Sequence, residues 1–181
     1  MRLFIAIDIP EEIKEKLVGV YNEMSKLGVK FIPVDKRIMH ITLNFIGEVD
    51  EATAERAKEA VSKLSLQEFE AEMRGISYFS PSFIKVIFAD FSRGNDELKR
   101  IFYLAGSALS RKKVPYQVRE YVPHVTLARV KSIGNKLALL EFIKEHADFE
   151  FGSFKINEIC LKKSDLSSSG PVYTDLLKLE F

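Results

Sequence analysis

The sequence predicts an α+β protein of two pseudo-symmetric lobes, each an antiparallel sheet with two helices on its outer face, around a central cleft. Two observations carry this expectation. Strand-like and helix-like segments follow one another in the same order twice, and the landmarks of the second pass lie at a nearly constant distance from those of the first. A short pattern of histidine, apolar residue, threonine and leucine then occurs once in each pass, at His40 and at His124.

The first pass opens with an apolar, strand-like run over residues 2–8. Pro10-Glu11-Glu12 then starts a helix, because proline fits the first helical turn and acids favour the positive end of the helix dipole. Ile13, Leu17, Val20, Met24 and Leu27 continue at helical spacing to Gly28, a stop signal. A strand from His40 to Phe45 is ended by Gly47, Asp50-Glu51-Ala52 starts an alanine-rich helix running to about Leu66, and residues 68–79 are extended.

The second pass repeats this order. Phe83 to Phe88 is a strand, and a helix beginning near Asn95 carries Leu98, Ile101, Phe102, Ala105 and Leu109 on one face. A strand from His124 to Val130 precedes a Gly134-Asn135 helix start, a helix through Leu137, Leu140 and Ile143, and extended segments from Phe149 to Leu161. The helix starts differ by 95 − 10 = 85 and 135 − 51 = 84 residues, and the histidines by 124 − 40 = 84. These offsets imply one bilobal domain over residues 1–181, with halves at roughly 1–80 and 81–170 and a surplus strand at 171–181 that returns to complete a lobe.

Composition limits the partners. With 181 residues, 46% of them hydrophobic, the chain can bury one ordinary core or two small lobes that share an interface. Its 27 basic and 26 acidic residues nearly cancel, so no whole-molecule field exists to wrap a long nucleic acid, and an anionic partner must be held locally. No apolar stretch approaches the roughly 18 residues of a membrane span, so a soluble, cytoplasmic protein without membrane contact is expected. The lone cysteine, Cys160, lies in an apolar run and reads as a small core residue.

The two histidine strands read Met39-His40-Ile41-Thr42-Leu43 and Pro123-His124-Val125-Thr126-Leu127. Side chains alternate along a strand, so His and Thr at i and i+2 share one face while the apolar residues between them face the core. Each strand thus offers an imidazole beside a hydroxyl, and the pseudo-twofold sets the two pairs facing each other. Two imidazoles and two hydroxyls, with no Asp, Glu or Cys at metal-ligand spacing, argue against a zinc centre and suit acid–base chemistry instead. Histidine titrates near neutrality, so one ring can accept a proton while the other donates one, and the threonines can donate to non-bridging phosphate oxygens. A metal-free site of this kind suits a phosphodiester that is already activated, such as a strained 2′,3′-cyclic phosphate.

At these residues the sequence resembles the 2H phosphoesterase superfamily and, within it, the RNA 2′,3′-cyclic phosphodiesterases also called 2′-5′ RNA ligases. The resemblance extends to Arg2-Leu3-Phe4-Ile5-Ala6-Ile7-Asp8-Ile9-Pro10, Phe45-Ile46-Gly47-Glu48, Ala128-Arg129-Val130, Ser164-Asp165-Leu166 and Gly170-Pro171-Val172-Tyr173. It implies a cofactor-free hydrolase with His40 and Thr42 on one wall of a cleft and His124 and Thr126 on the other; a monomer is expected. His40 is expected as general acid and His124 as general base, on RNA ends or nucleotides carrying a 2′,3′-cyclic phosphate, tRNA halves among them. Relatives often carry a tryptophan ahead of the first motif; this chain has none, and Phe31 is the candidate aromatic in its place.

Other residues are candidates of a second order. Arg129 lies five residues past His124, an odd offset that strict alternation places on the opposite face; the resemblance makes it a phosphate contact if the strand bulges at Leu127-Ala128. Tyr173 and Phe4 are candidates for stacking on a base, against a core role. Lys36-Arg37, Arg111-Lys112-Lys113 and Lys162-Lys163 could rim the cleft, although short basic runs are more often solvated faces. Ser164 to Gly170 suits a flap over substrate, and His146 reads as a helix-terminal histidine. Two further functions stay open: a nucleotide or RNA-end binding module without turnover, and a phosphodiesterase for another nucleotide such as ADP-ribose cyclic phosphate or a 2′-5′ oligonucleotide.

Overall fold

The computed structural model describes every residue except Pro81, Arg119 and Ser169. In chain order the elements are β1 (Arg2–Asp8), α1 (Glu11–Met24), β2 (Val29–Pro33), β3 (His40–Glu48), α2 (Glu51–Ser62), β4 (Phe69–Phe79), β5 (Val86–Arg93), α3 (Asn95–Arg111), β6 (Val125–Ile133), α4 (Lys136–Glu145), β7 (Glu150–Ile156), β8 (Glu158–Ser167) and β9 (Gly170–Glu180). Both halves show the expected alternation. Strand β5 starts and ends later than Phe83–Phe88, and α2 stops before Leu66. The short strand β2, in a segment whose sequence gives little periodic signal, is an addition.

The sheet runs β7-β4-β5-β6-β3-β1-β8-β9, every pairing antiparallel, with β2 also paired to β6. It divides at its middle: β3 and β6 meet only at Ile41 opposite Val125. Beyond that pair, β2 takes the edge of β6 that β3 has left, from Val29 opposite Ile133 to Pro33 opposite Ala128. Two lobes result, the four-stranded β3-β1-β8-β9 and the five-stranded β2-β6-β5-β4-β7, with the histidine strands at the seam. Each lobe draws strands from both halves of the sequence, since β4 joins β5 while β8 and β9 return to β1.

The helices follow the same exchange. Helix α1 packs against β6 and β7 of the second lobe, and His146 at the end of α4 lies 3.4 Å from Glu23 of α1. Helix α3 packs on β3 of the first lobe, with α2 beside it and against β9. Ile13, Leu17, Val20 and Met24 of α1 are all buried, as are Leu98, Ile101, Phe102, Ala105 and Leu109 of α3, so the helical spacing in the sequence does mark the core face. Truncating a fully buried member such as Leu17 to alanine costs about 2–5 kcal/mol, the lost transfer energy plus the cavity left behind. Side chains cap two of the helices, Asp50 accepting from the Thr53 N–H and Asn135 from that of Ala138.

Two glycines are needed where they stand. Gly28 takes a left-handed conformation (φ 71°) to end the turn after α1. Gly75, at φ 79° in β4, would place a Cβ 2.2 Å from the Ala147 carbonyl oxygen, so the close approach of β4 to the end of α4 admits no side chain.

Candidate active site

Both histidine strands carry a bulge at the same place in the repeat. On β6, Phe88 pairs with Thr126 but Ile87 with Ala128, so Leu127 is an extra residue. On β3, Phe4 pairs with Phe45 and Ala6 with Thr42, three steps on β3 against two on β1. Burial records the slip, because Leu43-Asn44 and Leu127-Ala128 are consecutive buried pairs in otherwise alternating strands. The bulge reverses the phase of the residues beyond it. Phe45 and Arg129, each five residues past its histidine, therefore enter the same cleft as His40, Thr42, His124 and Thr126. Strict alternation misplaces Arg129; the bulged strand puts it on the cleft side. Asn44, turned inward by the same irregularity, donates from Nδ2 to the Phe102 carbonyl 3.2 Å away and ties β3 to α3.

The cleft has a volume of about 390 Å³. Its two imidazoles are held in one manner. His40 Nδ1 is 2.7 Å from the Ile38 carbonyl oxygen and His124 Nδ1 is 2.8 Å from that of Val122. A carbonyl can only accept, so Nδ1 is the donor in each ring and Nε2 is the nitrogen that gains or loses a proton. His40 Nε2 also lies 2.8 Å from the Thr42 hydroxyl, as expected for neighbours on one strand face. Burial lowers the His40 pKa from its ordinary value, opposed by the Ile38 carbonyl and the Asp8 carboxylate and assisted by Lys162 and the His124 ring.

Aromatic rings pack both imidazoles. Phe4 and Tyr173 have ring centroids 5.0 Å and 5.4 Å from that of His40, and Phe79 and Phe88 lie 4.9 Å and 5.2 Å from that of His124. Phe4 and Tyr173 thus line the cleft rather than sitting only in the core. Phe88 repeats Phe4 at the 84-residue offset (88 − 4), a signal present in the sequence but outside the His-x-Thr motif. Arg2 is a further cleft residue of this kind. It shares the face of β1 with Phe4, stands with its guanidinium 5.0 Å from the Phe45 ring centroid, and lines the cleft with Arg129. Burial raises the Tyr173 pKa, and the charges of these two arginines oppose the rise.

Several second-order candidates fall elsewhere. Phe31 packs on Tyr21 of α1, ring centroids 6.4 Å apart, and it is the following Ile32, Pro33 and Val34 that wall the cleft. Ser164 to Ser167 belong to β8 and Gly170 opens β9, with Ser167 opposite Gly170, so these residues lie in paired strands rather than in a flap; Ser169, one of the four serines there, lies outside the described residues. Ser164, Leu166 and Pro171 of this hairpin line the cleft. The basic runs are largely neutralised, Lys36 by Glu11 and Glu15, Arg37 by Asp35, and Lys112 by Glu59.

Behind His40 the packing brings charges together. Lys162 is buried, its Nζ 2.9 Å from an Asp8 oxygen and 2.6 Å from an Asp175 oxygen. Asp8, Cys160 and Asp175 gather closely enough to suggest a metal site, a cluster that sequence spacing does not reveal. The Lys162 ammonium bridges both carboxylates there, and burial pushes the Cys160 thiol up to about 12, so this donor set is an ion-pair cluster with an inert thiol rather than a thiolate site.

The model of the LigT like phosphoesterases matches residues 7–87 and 92–173. The chain belongs to that family. Among its relatives, an RNA 2′,3′-cyclic phosphodiesterase of Methanocaldococcus jannaschii is 41% identical over 175 residues, 96% of each chain. One of Aeropyrum pernix is 33% identical over 166 residues, 91% of this chain and 94% of the other. Among solved structures, E. coli LigT complexed with 3′-AMP superposes with a TM-score of 0.80 at 23% identity, covering 99% of this chain and 97% of that one. A protein of Thermus thermophilus gives 0.78 at 26% identity, with 99% and 97% covered. The family and these neighbours share the two-lobed α+β architecture.

Proposed function

We propose that this protein hydrolyses RNA or nucleotide 2′,3′-cyclic phosphates to 2′-phosphates by acid–base catalysis between His40 and His124, without a metal. The observation that carries the reading is the repeated backbone lock, in which Nδ1 of each ring donates to the carbonyl two residues upstream and Nε2 is left as the titrating nitrogen. The activity of the Methanocaldococcus and Aeropyrum relatives supports it.

In this mechanism His124 Nε2 takes the proton of a water that attacks the cyclic phosphorus, and His40 protonates the departing 3′ oxygen, which stays on the ribose. Thr42, Thr126 and Arg129 hold the non-bridging oxygens, where negative charge grows in the transition state. Tyr173 and Phe4 give the base an aromatic wall. No carboxylate or thiol lines this cavity among the described residues, whereas zinc normally takes three or four protein ligands, so the donor set suits proton transfer. An RNA 5′-hydroxyl in place of water leads by the same departure of the 3′ oxygen to a 2′-5′ phosphodiester without ATP. Bulk water is about 55 M, so joining needs a positioned hydroxyl of high effective concentration, and hydrolysis dominates.

The test is turnover of adenosine 2′,3′-cyclic phosphate with product analysis, before and after exhaustive chelation. Adenosine 2′-phosphate formed at an unchanged rate after chelation is expected. A 3′-phosphate product overturns the leaving-group assignment, activity restored only by a divalent ion overturns the metal-free reading, and binding without turnover makes the protein a binding module.

A further inference from the structure

The cleft has a second arm. A cavity of about 500 Å³ adjoins the first and shares Arg2, Thr42, Phe45, His124, Thr126 and Arg129 with it, but is lined by Phe79, Val86, Gln117, Glu120 and Val122 where the first has Phe4, Tyr173 and His40. The two arms are mates under the internal repeat. Val122 stands to His124 as Ile38 stands to His40, Gln117 corresponds to Pro33, and Val86 to Arg2, each pair separated by 84 residues (122 − 38, 117 − 33 and 86 − 2). The main chain obeys the same relation: the Pro33 segment lies along β6, and the Gln117 N–H donates to the Phe45 carbonyl of β3 at 2.8 Å. The shared threonines and arginines lie at the junction, where the phosphate is held.

We propose that the arm beside His124 is a second nucleoside site, taking the nucleoside whose 5′-hydroxyl replaces water as the nucleophile; this rests on the reading of the His40–His124 pair given above. In-line displacement at phosphorus sets the attacking and leaving groups on opposite sides, the relation that the repeat builds into the two arms. The ribose bearing the cyclic phosphate occupies the His40 arm, so the group attached to the attacking oxygen falls on the His124 side. The 5′-oxygen bonds to phosphorus, its proton passes to His124, the bond from phosphorus to the 3′ oxygen breaks, and His40 supplies the proton to that oxygen.

The chemistry of the second arm selects what it holds. The first arm has Ile32-Pro33-Val34 as its wall, whereas the second presents an amide and a carboxylate, Gln117 and Glu120, with the ring of Phe79. A carboxylate accepts from base amino groups and repels phosphate, so this arm favours an unphosphorylated nucleoside whose base carries amino or imino donors. Guanosine, with two adjacent donors on its Watson–Crick edge, fits best, and uridine, which lacks an amino group, fits worst.

The experiment incubates the whole protein with adenosine 2′,3′-cyclic phosphate and rising concentrations of guanosine, cytidine or uridine, and separates hydrolysis product from 2′-5′ dinucleoside monophosphate by mass spectrometry. Transfer that saturates with nucleoside is expected, about tenfold more efficient for guanosine than uridine, the worth of one hydrogen bond to a charged group. Glu120→Ala should remove that preference, and Gln117→Ala weaken transfer to all acceptors, with hydrolysis in the absence of nucleoside within about twofold of the parent. Three results overturn the proposal: no transfer to any nucleoside while hydrolysis proceeds; nucleosides acting only as competitors of the cyclic nucleotide; or Glu120→Ala altering only the preference for a dinucleotide over a mononucleotide cyclic phosphate, which places the upstream RNA residue in this arm. Absence of hydrolysis itself strikes at the underlying reading instead.

Discussion

The surroundings of His40 and His124 share a backbone plan and differ in the strands and side chains that pack behind each ring. Both rings are pinned through Nδ1 to a carbonyl two residues upstream, both stand a few residues ahead of a strand bulge, and both are packed by two aromatic side chains. Behind His40, however, strands β8 and β9 bring Lys162 and Asp175 to the Asp8 carboxylate, while the rings beside His124 are the phenyl groups of Phe79 and Phe88, from β4 and β5. The repeat therefore fixes the aim of each ring, and at His40 the return of β8 adds Lys162, which disfavours the charged ring while Asp8 favours it. Different packing behind two rings built on one plan is compatible with the proposed division into an acid and a base.

The strongest way to break the comparison is to remove one member. His40→Ala and His124→Ala should each lower turnover of a 2′,3′-cyclic nucleotide by about 10²- to 10⁴-fold, and the double variant should be little worse than either, because in the proposed mechanism both act on one transition state. Near-normal turnover by one single variant, measured in steady-state assays, would leave the pairing without support. Next in size are the hydroxyls. Thr42→Ala and Thr126→Ala should cost roughly 10- to 1000-fold in kcat, as for loss of one donor to a developing charge.

The effect of burial on His40 is testable by titration. Burial favours the neutral form of His40, so its ring should titrate below the ordinary histidine value, a midpoint that proton NMR across the acid range measures directly. With His40 as the acid, the protonated ring is required, and kcat/KM should fall as pH rises through that lowered pKa. An acidic limb at the His40 midpoint, with activity lost as pH falls through it, would exchange the two roles. The smallest expected effect comes from Lys162→Met. Removing a cation that disfavours the charged ring leaves Asp8 unopposed, so the His40 midpoint should move upward; an unchanged midpoint would mean that burial alone sets it.

The sequence by itself determined the order of the elements other than β2, the repeat, the apolar faces of α1 and α3 and the two His-x-Thr strands, because strand alternation, helical spacing and turn residues are local properties. It also held the 84-residue partner of Phe4, legible once the offset is applied to residues outside the motif. Three matters belonged to the tertiary structure. The bulges at Leu43-Asn44 and Leu127-Ala128 bring Phe45 and Arg129 to the cleft, and a bulge arises from pairing with β1 and β5 rather than from the residues bulged. Strand β2 walls the cleft through a ladder to β6 about a hundred residues away in the chain (128 − 33 = 95). Lys162 meets Asp8 across 154 residues, a pairing of charges that only the return of β8 to β1 creates. Local spacing encodes which face a side chain takes; which distant strand lies against that face depends on the order of the sheet, set by the burial of both lobes at once.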